Sequence, residues 1–199
     1  MKWFNLFAVV VMMFALAACS SDKSGSEPKG QAADYSAAPY TAVEQAVVIA
    51  GVAFKPDQAW KDLGPSGMRK AEYAFGPVAG ESDAATMTVY YFGPHEGGDV
   101  EANLRRWVGQ MSLKEGDVPV METFDAGGMK AHWMEAAGTY NASMGGPMSS
   151  GTPKENYRMS AVVLEGDMGN VFFKLTGPDK TATAMTGAFR KMIESVAKG

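Results

Sequence analysis

The chain has 199 residues, 46% hydrophobic and 20% charged, with a formal net charge of −4. That mild acidity excludes nucleic acid as a charge-held partner, and it excludes a basic grip on anionic lipid. The single cysteine, Cys19, excludes a disulfide within the chain.

Met1 and Lys2 give a short positive start, and Trp3 to Ala18 are apolar apart from Asn5. The run is shorter than the ~20 residues of a spanning helix. A charged start, a short apolar core and a small-residue end predict a secretory signal peptide over residues 1–18, outside the fold. The tail Leu16-Ala17-Ala18-Cys19 resembles the lipobox of bacterial lipoprotein precursors. The resemblance implies that diacylglycerol is attached to the Cys19 thiol, that the signal is cut just before it, and that the new amine is acylated, with palmitate as the usual chain. One acyl chain holds a membrane marginally and two or three hold it stably, so a permanent anchor at Cys19 is implied. Ser20 stands where that family carries Asp for inner-membrane retention. This points to the cell envelope, on an outer membrane facing the periplasm in a Gram-negative cell.

Loss of residues 1–18 leaves 17 of the 18 basic side chains against 22 acidic ones, a net charge of −5. Residues 19–44 are rich in Ser, Gly, Lys, Glu, Pro, Ala and Gln with little large apolar content, which predicts a flexible tether with a reach of about 25–30 Å. Residues 45–199 have the size of a single domain and bury a core without disulfides.

Val47 to Phe54 is a β-branched apolar run and predicts a first strand, broken by Lys55-Pro56-Asp57; Trp60 follows in a loop or short helix. Met68 to Phe75 alternates and stops at Gly76-Pro77, and Ala85 to Phe92 alternates and stops at Gly93-Pro94. Asp99 is a helix N-cap, followed by Val100, Leu104, Trp107, Val108 and Met111 on one apolar helical face. Strands are predicted over Val118 to Phe124, Met129 to Tyr140, Tyr157 to Glu165 and Asn170 to Leu175, the last two as a hairpin. Asn141 to Asn156 is a long Gly/Pro/Ser loop. Gly177-Pro178-Asp179 opens a final helix, with Pro178 near N1 and Ala182, Met185, Phe189, Ile193 and Val196 on its apolar face. Consecutive strands without intervening helices predict an α+β fold: one domain, mainly an antiparallel sheet covered by two amphipathic helices, after a signal peptide and a tether.

Ser66 to Tyr73, Val89 to Gly93, Ala102 to Gln110 and Val171 to Pro178 resemble an uncharacterised family of small exported bacterial proteins and lipoproteins. More remotely, the element order resembles the PsbP-like α/β/α sandwich, which implies a binding or assembly-support module rather than an enzyme.

The residue chemistry adds no catalytic motif. Twelve of the fifteen methionines follow residue 18, and thioethers suit Cu(I). Met129, His132 and Met134 cluster in sequence, but strand alternation sets Met129 on the opposite face from the other two; Met144 and Met148 flank the long loop. His95, Glu96 and Asp99 are weighed as a cation site and read instead as a solvated turn ending in a cap. Ser66, Ser149 and Ser150 lack the G-x-S-x-G setting of a nucleophile. Arg69, Arg105, Arg106, Arg158 and Lys174 are candidates to gather against an acidic partner, with a solvated, charge-balanced face as the plainer alternative. Trp60, Tyr73, Tyr91, Trp107, Trp133, Phe172 and Phe173 are assigned to the core. No cofactor and no metal are expected. The expectation is a lipid-anchored envelope protein, not an enzyme, serving as a non-catalytic binding or assembly module. Its partners are the membrane through Cys19 and an envelope protein, met through loops 93–99 and 141–156. The alternative is a small-molecule or metal carrier, or an enzyme, using a groove between sheet and helix.

Overall fold

The computed structural model describes residues 45–141 and 152–199. The expected signal peptide (1–18), Cys19, the tether (19–44) and residues 142–151 of the expected long loop lie outside the described residues.

The main sheet is built from β3 (Lys61–Asp62), β4 (Arg69–Phe75), β5 (Ala85–Tyr90), β6 (Met111–Leu113), β7 (Val120–Ala126), β8 (Met129–Tyr140), β9 (Lys154–Gly166) and β10 (Gly169–Pro178). Its strand order is β3-β4-β5-β10-β9-β8-β6, and every pairing is antiparallel. β7 and β6 share the outer edge of β8: β7 pairs with Met129 to Glu135 and β6 with Gly138 to Tyr140. The hairpin β9–β10 forms as the sequence predicts, around the turn Gly166 to Gly169.

Both faces of this sheet carry a helix, because its central strands are apolar on both sides. On β10, Val171, Phe173 and Leu175 join the cluster under α2 (Asp179–Glu194), with Trp60, Tyr73, Met87, Trp133, Val162, Leu164 and Phe189. The intervening Phe172 points the other way and joins Met134, Met159, Ala161 and Val163 beneath Leu104 and Trp107 of α1 (Val100–Val108). The α+β expectation, an antiparallel sheet covered by two amphipathic helices, is what the chain forms, and the helices lie on opposite faces.

Several expected elements change. The single strand over Val47–Phe54 is a hairpin of β1 (Val47–Ile49) and β2 (Val52–Phe54), with Val47 opposite Phe54. Ala50 and Gly51 turn it with φ of 51° and 73°, a primed turn hidden in two small apolar-looking residues. A last short strand, β11 (Ala197–Lys198), pairs with β2. Met111 lies in β6 rather than on the helix, yet it packs in the same cluster as α1. Lys154 to Asn156, expected in the loop, extend β9. Pro178 is the N-cap of α2 rather than N1, and Val196 is buried past the helix end. Asp99 caps α1 as expected, its Oδ1 accepting from the Ala102 amide at 2.7 Å.

Candidate functional site

β10 carries one charged side chain in its apolar stretch. In Val171-Phe172-Phe173-Lys174-Leu175, alternation sends Lys174 to the α1 side, next to Phe172. α1 has only nine residues, so it is about 13 Å long. Beside it, a polar cluster collects from separate segments. Lys174 Nζ donates to Gln110 Oε1 at 2.9 Å and to the Tyr140 hydroxyl at 3.1 Å, and it lies 5.0 Å from the centre of the Tyr140 ring. Tyr140 stacks on Tyr157, ring centres 6.1 Å apart. The Tyr157 hydroxyl donates to Asp83 Oδ2 at 2.7 Å, and Lys154 Nζ donates to both at 3.1 and 3.2 Å. Towards the other edge, Arg69 Nε donates to the Tyr90 hydroxyl at 3.4 Å. Arg69 Nη1 pairs with Glu72 Oε2 at 3.0 Å. On α1, Arg106 Nη2 donates to Asn103 Oδ1 at 2.6 Å.

The charges in this cluster are unevenly matched. Arg69 has Glu72 and Lys154 has Asp83. Lys174 and Arg106 have only neutral partners among the described residues. Burial, then Arg106, then Arg69 hold the Lys174 pKa down to about 8. Burial, aided by Tyr90, pushes the Tyr140 hydroxyl up against the pull of Lys154 and Arg69. The hydrogen bond from Tyr157 holds Asp83 below the ordinary carboxylate range, with Lys154 adding to it. At neutral pH Tyr140 and Tyr157 are therefore protonated, Asp83 is ionised and Lys174 is mostly charged. The cluster's chemistry is that of donors and positive charge.

Of the basic residues singled out from sequence, the fold brings together Arg69, Arg106 and Lys174. It separates Arg105, which pairs with Glu101 at 2.8 Å on the outer side of α1. Arg158 lies on the opposite sheet face, held by Glu135 and by Asp179 of α2. Met129 is buried under α2, whereas Met134 is buried under α1, as alternation requires. His132 is engaged by Glu165 Oε1 at 2.5 Å and Thr123 Oγ1 at 3.3 Å. His95 is exposed in the turn before α1, and Asp99 is spent on the cap. Among the described residues no three His, Cys, Asp or Glu side chains group as metal ligands. Ser66 Oγ donates to Glu72 at 2.8 Å. Ser149, Ser150, Met144 and Met148 lie outside the described residues. Trp60, Tyr73, Trp107, Trp133, Phe172 and Phe173 are core, as expected, while Tyr91 is half-buried and donates to the Met168 carbonyl at 2.6 Å. Tyr90, Gln110, Tyr140 and Tyr157 were not anticipated as site residues. The available signal was Lys174 itself, a lone cation in an apolar strand.

Among the described residues no helix is long and apolar enough to cross a membrane. No family model matches the chain, and no curated protein matches it. Solved structures do. The chain is similar to LpqN of Mycobacterium tuberculosis, described as involved in cell envelope biogenesis, at 14% identity and a TM-score of 0.47, over 73% of this chain and 82% of that one. It is similar to the cyanobacterial PsbP protein CyanoP from Synechocystis at 14% identity and a TM-score of 0.48, over 78% of this chain and 92% of that one. A protein of unknown function from Pseudomonas aeruginosa matches at 12% identity and a TM-score of 0.42, over 75% of this chain and 93% of that one.

Proposed function

We propose that the protein is a lipid-anchored cell-envelope protein, held at the membrane through Cys19, that works as a non-catalytic binding module. Its binding surface is the polar cluster beside α1. The observation that carries this reading is Lys174, a part-buried ammonium with no carboxylate partner among the described residues. Setting an uncompensated cation in an apolar strand costs stability. A group retained at that cost, in a cluster with a shifted pKa, marks a functional surface. The anchor rests on the lipobox resemblance at Leu16 to Cys19. The outer membrane is the favoured location, because Asp is absent after the cysteine.

The test is site-specific photo-crosslinking in intact cells. A photoreactive residue at position 110, in the cluster, is expected to give a discrete adduct; one at position 101, on the outer side of α1, is not. Equal adducts from both, or none from either, overturn the binding reading. The anchor is tested separately. Cys19→Ser is expected to move the protein from the membrane to the soluble fraction, and membrane retention after a high-salt wash contradicts it. A second reading, an enzyme or small-molecule carrier, is favoured by the Lys174 pKa of about 8, which suits proton transfer near neutral pH. A small molecule in place of a protein adduct at position 110 would select it.

A further inference from the structure

We infer that the polar cluster binds a phosphate-type oxyanion, seated between Lys174, Tyr140, Tyr90 and Arg106; this rests on the cluster being the binding surface. The argument is an account of unspent hydrogen-bond capacity. An ammonium has three N–H donors, and Lys174 spends two, on Gln110 and Tyr140. The Tyr140 oxygen accepts from Lys174, so its own proton has no acceptor among the described residues. The Tyr90 oxygen likewise accepts from Arg69, leaving its proton free. Arg106 spends one donor on Asn103 and keeps the rest of its fork. The cluster's carboxylates, Glu72 and Asp83, are already engaged by Arg69 and by Lys154 with Tyr157. What remains unspent is donors, and those of Lys174 and Arg106 sit on cations without counter-ions.

The geometry separates phosphate from carboxylate. Lys174, Tyr90 and Tyr140 rise from three different strands, and Arg106 comes from the helix. Donors arriving from the sheet and the helix suit an anion with oxygens in several directions. A planar carboxylate is better served by a single guanidinium fork. Stretch 142–151, which connects Asn141 back to β9, contains no Asp or Glu to supply the missing charge from within the chain. The phosphate can be free or can belong to a phosphorylated headgroup.

The experiment is calorimetric titration of the full-length lipidated protein in neutral detergent with inorganic phosphate at constant ionic strength. Saturable binding at one site is expected. Lys174→Met should weaken it by about tenfold or more, the loss of one charge-assisted contact, and Tyr140→Phe by a smaller factor. Arg105→Gln, on the outer side of α1, should leave it unchanged. Lys174→Met keeps the bulk of the side chain and removes the buried charge, so it should fold and melt no lower than the parent. If phosphate does not saturate, or binds Lys174→Met as it binds the parent, the oxyanion site is wrong. Should that happen while position 110 still crosslinks, the binding module stands and only the ligand class falls. Dihexanoyl-phosphatidylglycerol below its micellar concentration distinguishes the sources. Tighter binding than inorganic phosphate, again lost in Lys174→Met, assigns a headgroup; equal or weaker binding assigns the free anion. Both outcomes support the site.

Discussion

Lys174 draws on the stability of the fold as well as on the chemistry of the cluster. Its pKa is held at about 8 in the folded chain against 10.5 for the free side chain, first by burial and then by Arg106 and Arg69. A lysine with a lowered folded pKa binds fewer protons folded than unfolded. The penalty is therefore fully present below pH 8 and fades as the pH rises from about 8 to about 10.5. Lys174→Met removes the titrating group, so it should stabilise the protein at pH 7 by about 1–3 kcal/mol. That gain should shrink towards pH 10. Thermal denaturation of parent and variant at pH 7 and pH 10 measures the difference. A lower melting temperature for the variant at pH 7 would mean that the bonds to Gln110 and Tyr140 outweigh the buried charge, and that Lys174 is structural. Arg190 shows the opposite solution to placing a cation against the core. Its guanidinium lies 3.7 Å from the Phe124 ring centre and is paired with Glu122 at 2.7 Å and Glu194 at 2.7 Å. That cation is fully compensated by two carboxylates and leaves no unpaired charge for a ligand.

At the level of elements, α1 depends on its ends. A nine-residue helix is below the length that holds alone in water, and only Asn103, Leu104 and Trp107 of α1 are buried. The start is fixed twice: Asp99 accepts from the Ala102 amide, and the Asn103 amide group donates to the carbonyls of Gly97 and Asp99 at 2.8 and 2.9 Å. Asp99→Ala is expected to cost about 1 kcal/mol, measured by urea denaturation, and to weaken phosphate binding through the position of Arg106. The β1–β2 turn carries a different strain. Ala50 sits at φ 51°, a conformation that costs a non-Gly residue about 1–2 kcal/mol and that Asn tolerates. Ala50→Asn should therefore stabilise the protein by about 0.5–1 kcal/mol, and no gain in the denaturation midpoint would show that the hairpin does not bear on global stability. These two elements also mark what the sequence makes legible. The Asp99 cap, the alternation of β8 and the β9–β10 hairpin follow from local pattern, because cap chemistry and side-chain period act within a few residues. The β1–β2 turn was not legible, since Val47 to Phe54 is continuously apolar and the turn uses Ala-Gly rather than Asn-Gly. Of the polar cluster, only the cations Arg69, Arg106 and Lys174 were legible as candidates. Its other members come from positions 72, 83, 90, 110, 140, 154 and 157. Only the strand order, fixed by long-range pairing, places them side by side.

Across the whole molecule, the two faces of the sheet are not equal partners. The α2 side gathers Phe54, Trp60, Tyr73, Trp133, Phe173 and Phe189 with aliphatic neighbours from nearly every strand, and the β1–β2–β11 sheet closes onto it through Val52 and Phe54, with Val196 buried just before β11. The α1 side is a smaller cluster around Leu104, Trp107, Met134, Met159 and Phe172, bordered by the polar residues that hold Lys174. Burial sets local stability, so of the two helices the one with fewer buried side chains opens first, and α1 has three against six in α2. The α1 side should therefore open below the free energy of global unfolding, with β9, β10 and α2 intact. Native-state hydrogen exchange tests this directly: amides of Leu104 to Val108 should exchange through a sub-global opening, whereas amides of Val162 to Leu164 and Phe189 to Ile193 should exchange only with global unfolding. Phosphate should then protect the α1 amides selectively, because Arg106 on the helix and Lys174 on the sheet would hold one anion between them, and a ligand stabilises the state that binds it. Equal protection of α1 and α2 without phosphate would mean that the sheet and both helices unfold as one unit. In that case the cluster gains no access to ligand from a helix that lifts.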